Sequence, residues 1–218
     1  MSDEPAPSAA RAMTRRERKR MLEGAVPRIL TVCTGNICRS AIAEVVLRTS
    51  LRDLPVAIGS AGTGALVGHG MTPQAIDVAV RAGAAQKDAH DHRARYLVEP
   101  MLVQADLVLA MTREHRDVAL QMTPGKRRQV LPVRELARLA LAVDDERIRA
   151  TAARAGSVPA DRVTAVVSML ADSHLISPSE ADDVIDPYRR SDAVYQQSAD
   201  ELLPALAQVE RVMRLALA

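Results

Sequence analysis

At 218 residues, 48% of them hydrophobic and 26% charged, the chain is sized for one α/β domain with appendages and composed like a globular protein. No apolar run is long enough to cross a bilayer, and residues 1–26 lack the apolar core of a secretory signal, so a membrane span is excluded and a cytoplasmic location is expected. The first 26 residues, with their cluster R-R-E-R-K-R, carry the whole formal net charge of +2; with three tyrosines and no Phe or Trp, the rest offers neither a basic footprint nor a stacking platform for nucleic acid.

Residues 1–26 are rich in Pro, Ala, Ser and charge and read as a disordered, solvated tail. R-I-L-T-V-C then gives a short buried strand ending at Cys33, followed by a helix from about Ser40 with Ile42, Val45 and Val46 on one face. A second strand is predicted over 55–60, leading into the glycine-rich S-A-G-T-G. Thr72-Pro73 has the signature of an N-cap followed by a first-position proline, and its helix should run to Gly83. Strands three and four are predicted over 105–111 and near 128–133. Strands alternating with helices predict an α/β fold with a doubly wound, four-stranded parallel sheet flanked by helices.

Beyond the fourth strand the pattern is helical over 134–155 and again over 160–174, and Ser177-Pro178-Ser179-Glu180 reads as a capping box. Residues 144–180 are therefore expected to form a helical insertion inside a domain spanning 27–218. The last helix, near 192–217, contains Pro204, which should kink it.

Both cysteines of the chain lie in V-C-T-G-N-I-C-R-S, residues 32–40. In a parallel sheet ligands bind beyond the carboxyl ends of the strands, and a loop entering a helix N-terminus presents free backbone N–H groups to an anion. Cys33 stands at that strand end, in a field that favours a nucleophilic thiolate. Gly35 and Asn36 are the residue types best able to take positive φ, and Arg39 can offer two donors to phosphate oxygens. Ser40 can hydrogen-bond the sulfur. These parts make a phosphate cradle, Cys33 to Ser40 through Thr34, Gly35, Asn36, Ile37, Cys38 and Arg39. A metal centre needs more soft ligands than two cysteines supply. Cys38 reads equally as core packing or as a resolving thiol for oxidised Cys33.

The motif C-T-G-N-I-C-R-S resembles the loop of the low-molecular-weight protein tyrosine phosphatases. The resemblance continues in S-A-G-T at 60–63, H-R-A-R at 92–95, A-D-L-V-L-A-M at 105–111, and D-P-Y at 186–188 followed by V-Y-Q-Q at 194–197. It implies that Cys33 attacks phosphorus, that Arg39 holds the phosphate oxygens and that Asp186 is the general acid, with no metal or other cofactor. Asn36, Ser40, Ser60 and His92 match positions of a network that supports the loop. Ile37, Leu66 and Tyr188 would wall the cleft. The implied substrate is a phosphotyrosine protein, such as a bacterial tyrosine kinase.

Three positions depart from that pattern. Leu66 stands where many bacterial members carry a tryptophan, Ala41 replaces the usual proline after Arg-Ser, and Thr112 stands where an aspartate is common. Neither Ala41 nor Thr112 is expected to touch the chemistry. Two alternatives share the scaffold: an arsenate reductase using a small external thiol, and a catalytically silent phosphate-binding module. Cys33, Arg39 and Asp186 together argue against the second, because a pure binder has no use for a general acid.

Overall fold

The computed structural model describes residues 26–172 and 179–218. Four strands, β1 (Arg28–Cys33), β2 (Ala57–Gly62), β3 (Leu107–Ala110) and β4 (Val130–Pro132), form one sheet in the order β2-β1-β3-β4. Every pairing is parallel, with Cys33 level with Gly62 and Val32 level with Ala110. Strand β1 lies between β2 and β3, so the winding reverses beside it. The crevice for a ligand therefore opens at the carboxyl end of β1, where Cys33 sits.

The helices are α1 (Arg39–Ser50), α2 (Pro73–Arg81), α3 (Gln86–Asp91), α4 (Glu99–Gln104), α5 (Arg113–Met122), α6 (Val133–Leu141), α7 (Asp145–Arg154), α8 (Pro159–Ala171) and α9 (Asp192–Leu217). Alternate strand residues divide them between two layers. Ile29, Leu107, Leu109 and Leu131 face the larger core, shared with α1, α2 and α6 to α9. Leu30, Val32, Val108 and Val130 face a smaller one closed by Leu97, Leu102 and Ala119. A sheet covered on both faces needs apolar side chains at every position, which is why these strands show runs and not alternation.

Several expected bounds move. The second and third strands are Ala57–Gly62 and Leu107–Ala110. The face expected on α1 is too narrow: Ala41, Ile42, Ala43, Glu44, Val45 and Leu47 are all buried, whereas Val46 is only partly so. The helix expected over 134–155 is two helices, because Asp144 leaves helical geometry and its carboxylate accepts the Arg147 N–H at 2.7 Å, capping α7. Thr72 caps α2 as expected, its hydroxyl accepting from Ala75 N–H. Helix α9 continues through Pro204 as one element.

Residues 1–25 of the expected tail and residues 173–178, which include the end of the helix expected over 160–174 and the first half of the expected capping box, lie outside the described residues. In the described part, a capping box stands two residues later, from Ser179 to Asp182. The Asp182 carboxylate accepts the Ser179 N–H at 2.8 Å, and Ser179 Oγ accepts from Ala181 at 3.2 Å.

Helices α7 and α8 pack on each other and on α9, and α8 also reaches β3. Val163, Val166, Val167 and Leu170 of α8 are fully buried in the larger core, each removed from water with a gain of about 1.5–3 kcal/mol. The segment therefore belongs to the core that supports the sheet. Among the described residues no helix is long and apolar enough to cross a membrane.

Candidate active site

The loop between β1 and α1 closes on itself around the Cys33 sulfur. Asn36 takes φ 56°, the left-handed conformation, and its backbone N–H then points at Cys33 Sγ from 3.3 Å. Gly35 was expected to share that role but keeps negative φ; one left-handed residue turns the chain inward. Helix α1 starts at Arg39 with no capping side chain and no acid in its first turn. Its first N–H groups and its positive end are thus left to an anion in the loop.

The shape is held from outside by a chain of polar contacts. The Asn36 side chain donates to Ser40 Oγ at 3.0 Å and to Ser60 Oγ at 2.7 Å, and accepts the Arg95 N–H at 3.0 Å. Having accepted from Asn36, Ser40 keeps its own proton for Cys33 Sγ, 2.9 Å away. Ser60 in turn donates to the carboxylate of Glu44. His92 donates Nε2–H to the Asn36 carbonyl at 2.8 Å, and its Nδ1 lies 3.3 Å from Glu44. Arg48 completes the set at 2.6 Å from Glu44. Burial alone would raise the Glu44 carboxyl, but His92, Ser60 and Arg48 together hold it below the ordinary glutamate range.

Glu44 was not found in the sequence. The available signal was its place one helical turn after Ser40, on the face that returns to the loop. Arg95 was seen only as part of H-R-A-R. Its Nε donates to the Ser60 carbonyl at 2.6 Å, and a Cβ on Gly59 would stand 2.5 Å from its guanidinium. The glycine of S-A-G-T has a similar reason: a Cβ on Gly62 would meet the Thr34 carbonyl at 2.3 Å. That close approach lets Thr63, Gly64 and Leu66 donate backbone N–H groups to the carbonyls of Cys33, Thr34 and Gly35.

Arg39 is buried. Its Nη1 donates to the Val184 carbonyl at 2.9 Å, its Nη2 lies 2.8 Å from Asp186 Oδ2, and its Nε is buried with no partner among the described residues. Leaving a guanidinium N–H dry and unsatisfied is costly unless an acceptor comes to it. Asp186 precedes Pro187 on a loop where its Oδ1 accepts the Tyr188 N–H at 3.1 Å, and half of its side chain is exposed.

Cys33, Thr34, Gly35, Ile37, Cys38, Arg39, Leu66, Asp186 and Tyr188 come together around one cleft of about 140 Å³. Ser60 and His92 lie behind it. The Cys38 thiol is buried, its sulfur 3.5 Å from the Tyr195 hydroxyl and 3.6 Å from that of Thr72. Burial pushes the Cys38 thiol up, against the hydrogen bonds from Tyr195 and Thr72, and burial likewise pushes Tyr195 up to about 12. Both cysteines are free thiols. Thr112, expected to stand clear of the chemistry, caps α5 and bonds His115, whose other ring nitrogen reaches Thr34. Among the described residues no group of three or more His, Cys, Asp or Glu is placed to hold a metal ion.

Residues 28–139 match the family model of the low molecular weight phosphotyrosine protein phosphatases. The chain is 38% identical over 108 residues to a probable low molecular weight protein-tyrosine-phosphatase, EpsP, of Ralstonia nicotianae, covering 50% of this chain and 71% of that one. Among solved structures it resembles the tyrosine phosphatase Wzb of Escherichia coli K30 in complex with sulphate, with TM-score 0.57 and 26% identity over 85% of this chain and 96% of that one. It is similarly close to the YwlE arginine phosphatase of Geobacillus stearothermophilus, with TM-score 0.58 and 25% identity over 84% and 90%. The chain belongs to the low molecular weight phosphotyrosine protein phosphatase family and is an enzyme of the protein-tyrosine-phosphatase class.

Proposed function

We propose that the protein hydrolyses phosphotyrosine in protein substrates through a phosphocysteine intermediate. The observation that carries this is Arg39, whose buried Nε has no partner among the described residues while its Nη2 is held by the half-exposed carboxylate of Asp186, in the cleft that Cys33 also lines. A phosphate entering the cleft satisfies Nε, takes Nη2 from Asp186, and leaves that carboxyl free to carry a proton. Cys33 then attacks phosphorus in line with the ester oxygen. Asp186 protonates the departing phenol, and in the second step takes a proton from the water that hydrolyses the S–P bond. Arg39 and the loop N–H groups carry the charge that develops on the equatorial oxygens. Ser40 donates to the sulfur as it departs.

Ile37 and Leu66 give the cleft an apolar wall, and Tyr188, 37% exposed, lies at its mouth. That wall suits a phenyl ring better than a guanidinium, which favours phosphotyrosine over the phosphoarginine that the likeness to YwlE brings into view. The substrate in the cell is a phosphotyrosine protein, with a bacterial tyrosine kinase the first candidate and the cytoplasm the compartment.

The test is steady-state hydrolysis, with EDTA present, of phosphotyrosine, phosphoserine and phosphoarginine peptides by the wild type and Cys33→Ser. Phosphotyrosine turnover that disappears in the variant is expected. Preferential turnover of phosphoarginine would move the protein to the other substrate class. No turnover of any peptide, with phosphate still bound, would leave a binding module or an arsenate reductase.

A further inference from the structure

His115 lies in no motif that the sequence singled out. It is 4% exposed, on the first turn of α5, with its ring held at both nitrogens. Nδ1 is 2.7 Å from Thr112 Oγ1 and Nε2 is 2.9 Å from Thr34 Oγ1. Thr34 is the residue after Cys33, is exposed, and lines the catalytic cleft.

Matching donors to acceptors favours one direction for these hydrogen bonds. Thr112 Oγ1 already accepts the His115 backbone N–H at 3.3 Å as the cap of α5. A hydroxyl that accepts one bond is best matched by donating its own proton, and the acceptor within reach is Nδ1. The ring proton then belongs on Nε2, which donates to Thr34 Oγ1. With its oxygen accepting from His115, the Thr34 hydroxyl keeps its hydrogen for a partner in the cleft. The reverse order would make Thr112 accept twice and spend the Thr34 hydrogen on the ring. The ring faces Arg39, Asp186 and Asp183; burial, reinforced by Arg39, lowers its pKa to about 4, so it is neutral near pH 7 and has one donor and one acceptor to distribute.

We propose that His115 is a positioning residue that turns the Thr34 hydroxyl into an additional donor to an oxygen of the anion bound above Cys33. Thr34 is then a binding residue and His115 acts only through it. The inference rests on the proposed phosphatase reading for the identity of the anion, and on the geometry of these three side chains for the rest.

The experiment compares wild type, Thr34→Val, His115→Ala, His115→Gln and the double variant Thr34→Val/His115→Ala. It reads KM and kcat for an aryl phosphate and, separately, the Kd of inorganic phosphate by calorimetry. Loss of one such donor is expected to raise KM and the phosphate Kd about five- to tenfold, with kcat little changed. The double variant should match Thr34→Val, because His115 acts only through the Thr34 hydroxyl. His115→Gln, whose amide can donate to the same oxygen, should recover most of the loss. Ring ¹⁵N shifts of His115 in the wild type should place the proton on Nε2.

A proton found on Nδ1, additive losses in the double variant, or a fall in thermal stability with unchanged KM and Kd would each overturn the proposal. Should the wild type fail to hydrolyse aryl phosphates, the phosphatase reading falls, while the phosphate affinities and ring shifts still decide the role of His115.

Discussion

Glu44→Gln is the perturbation that most directly asks whether the buried network shapes the loop. The carboxylate is 4% exposed and meets three partners: the Ser60 hydroxyl, His92 and Arg48. Glutamine can still accept from Ser60 but offers no charge to the other two. Arg48 is 45% exposed and keeps its Nε bond to the Ile58 carbonyl, so water takes over much of what it loses. His92 is buried and has no such recourse. One charge-assisted bond lost at a buried site costs about 1.5–3 kcal/mol, and the weakened pairing with Arg48 adds up to about 1. The expected loss is roughly 2–4 kcal/mol, near the low end for breaking a buried pair. For a domain of this size that lowers Tm by about 5–15 °C.

Because Ser60 and His92 both hold Asn36, kcat/KM should fall as well, by about 10–100-fold, the scale of a sub-ångström displacement in a catalytic loop. The pH dependence supplies the sign. The Glu44 carboxyl is held below its ordinary value in the fold, so its stabilisation is fully present above the unfolded pKa and is lost as pH falls through the folded one. The stability gap between wild type and variant should be full at pH 7 and shrink below about pH 4. Thermal unfolding across that range, with p-nitrophenyl phosphate hydrolysis at pH 7, measures both. Equal Tm values at pH 7, or a gap that widens in acid, would refute the reasoning.

Asp186→Asn should slow hydrolysis of aryl phosphates by about 10²–10⁴-fold, with a smaller loss for leaving groups that need no proton; equal losses across leaving-group pKa would count against the assignment. Mild peroxide should oxidise Cys33 to a sulfenic acid that condenses with the Cys38 thiol, expelling water and forming a disulfide that dithiothreitol reverses. Cys38→Ser should then recover a smaller fraction of its activity than the wild type, and equal recovery would remove Cys38 from that role. The Ser198 hydroxyl is buried with no partner among the described residues, so Ser198→Ala should leave stability unchanged or raise it by about 1 kcal/mol in denaturant unfolding; a clear loss would mean that the hydroxyl has a partner.

Much of the site could be read in the sequence because its residues are local. Cys33 to Ser40 form one loop, and a strand end, a residue tolerant of positive φ, an arginine and a helix start are all recorded in neighbouring letters. Helix caps at Thr72 and Asp144 are local too, but Asp144 sits inside a continuous helical pattern over 134–155, so the break it makes does not stand out in the sequence. Strand bounds shifted by one or two residues because pairing with a neighbour, not propensity, decides where a ladder stops.

What the sequence by itself determined is the chemistry available at the carboxyl end of β1: a thiol, an arginine and an unblocked helix N-terminus within eight residues. The tertiary structure decided how that chemistry is held. It brought Glu44, Ser60, His92 and Arg95 behind one asparagine, set Asp186 across from Arg39 over a separation of 147 residues, and joined Thr112 and His115 to Thr34. Such contacts are made across the sheet by elements far apart along the chain. A buried carboxylate or imidazole is told from a solvated one only by what surrounds it, and those surroundings exist only once the helices have packed.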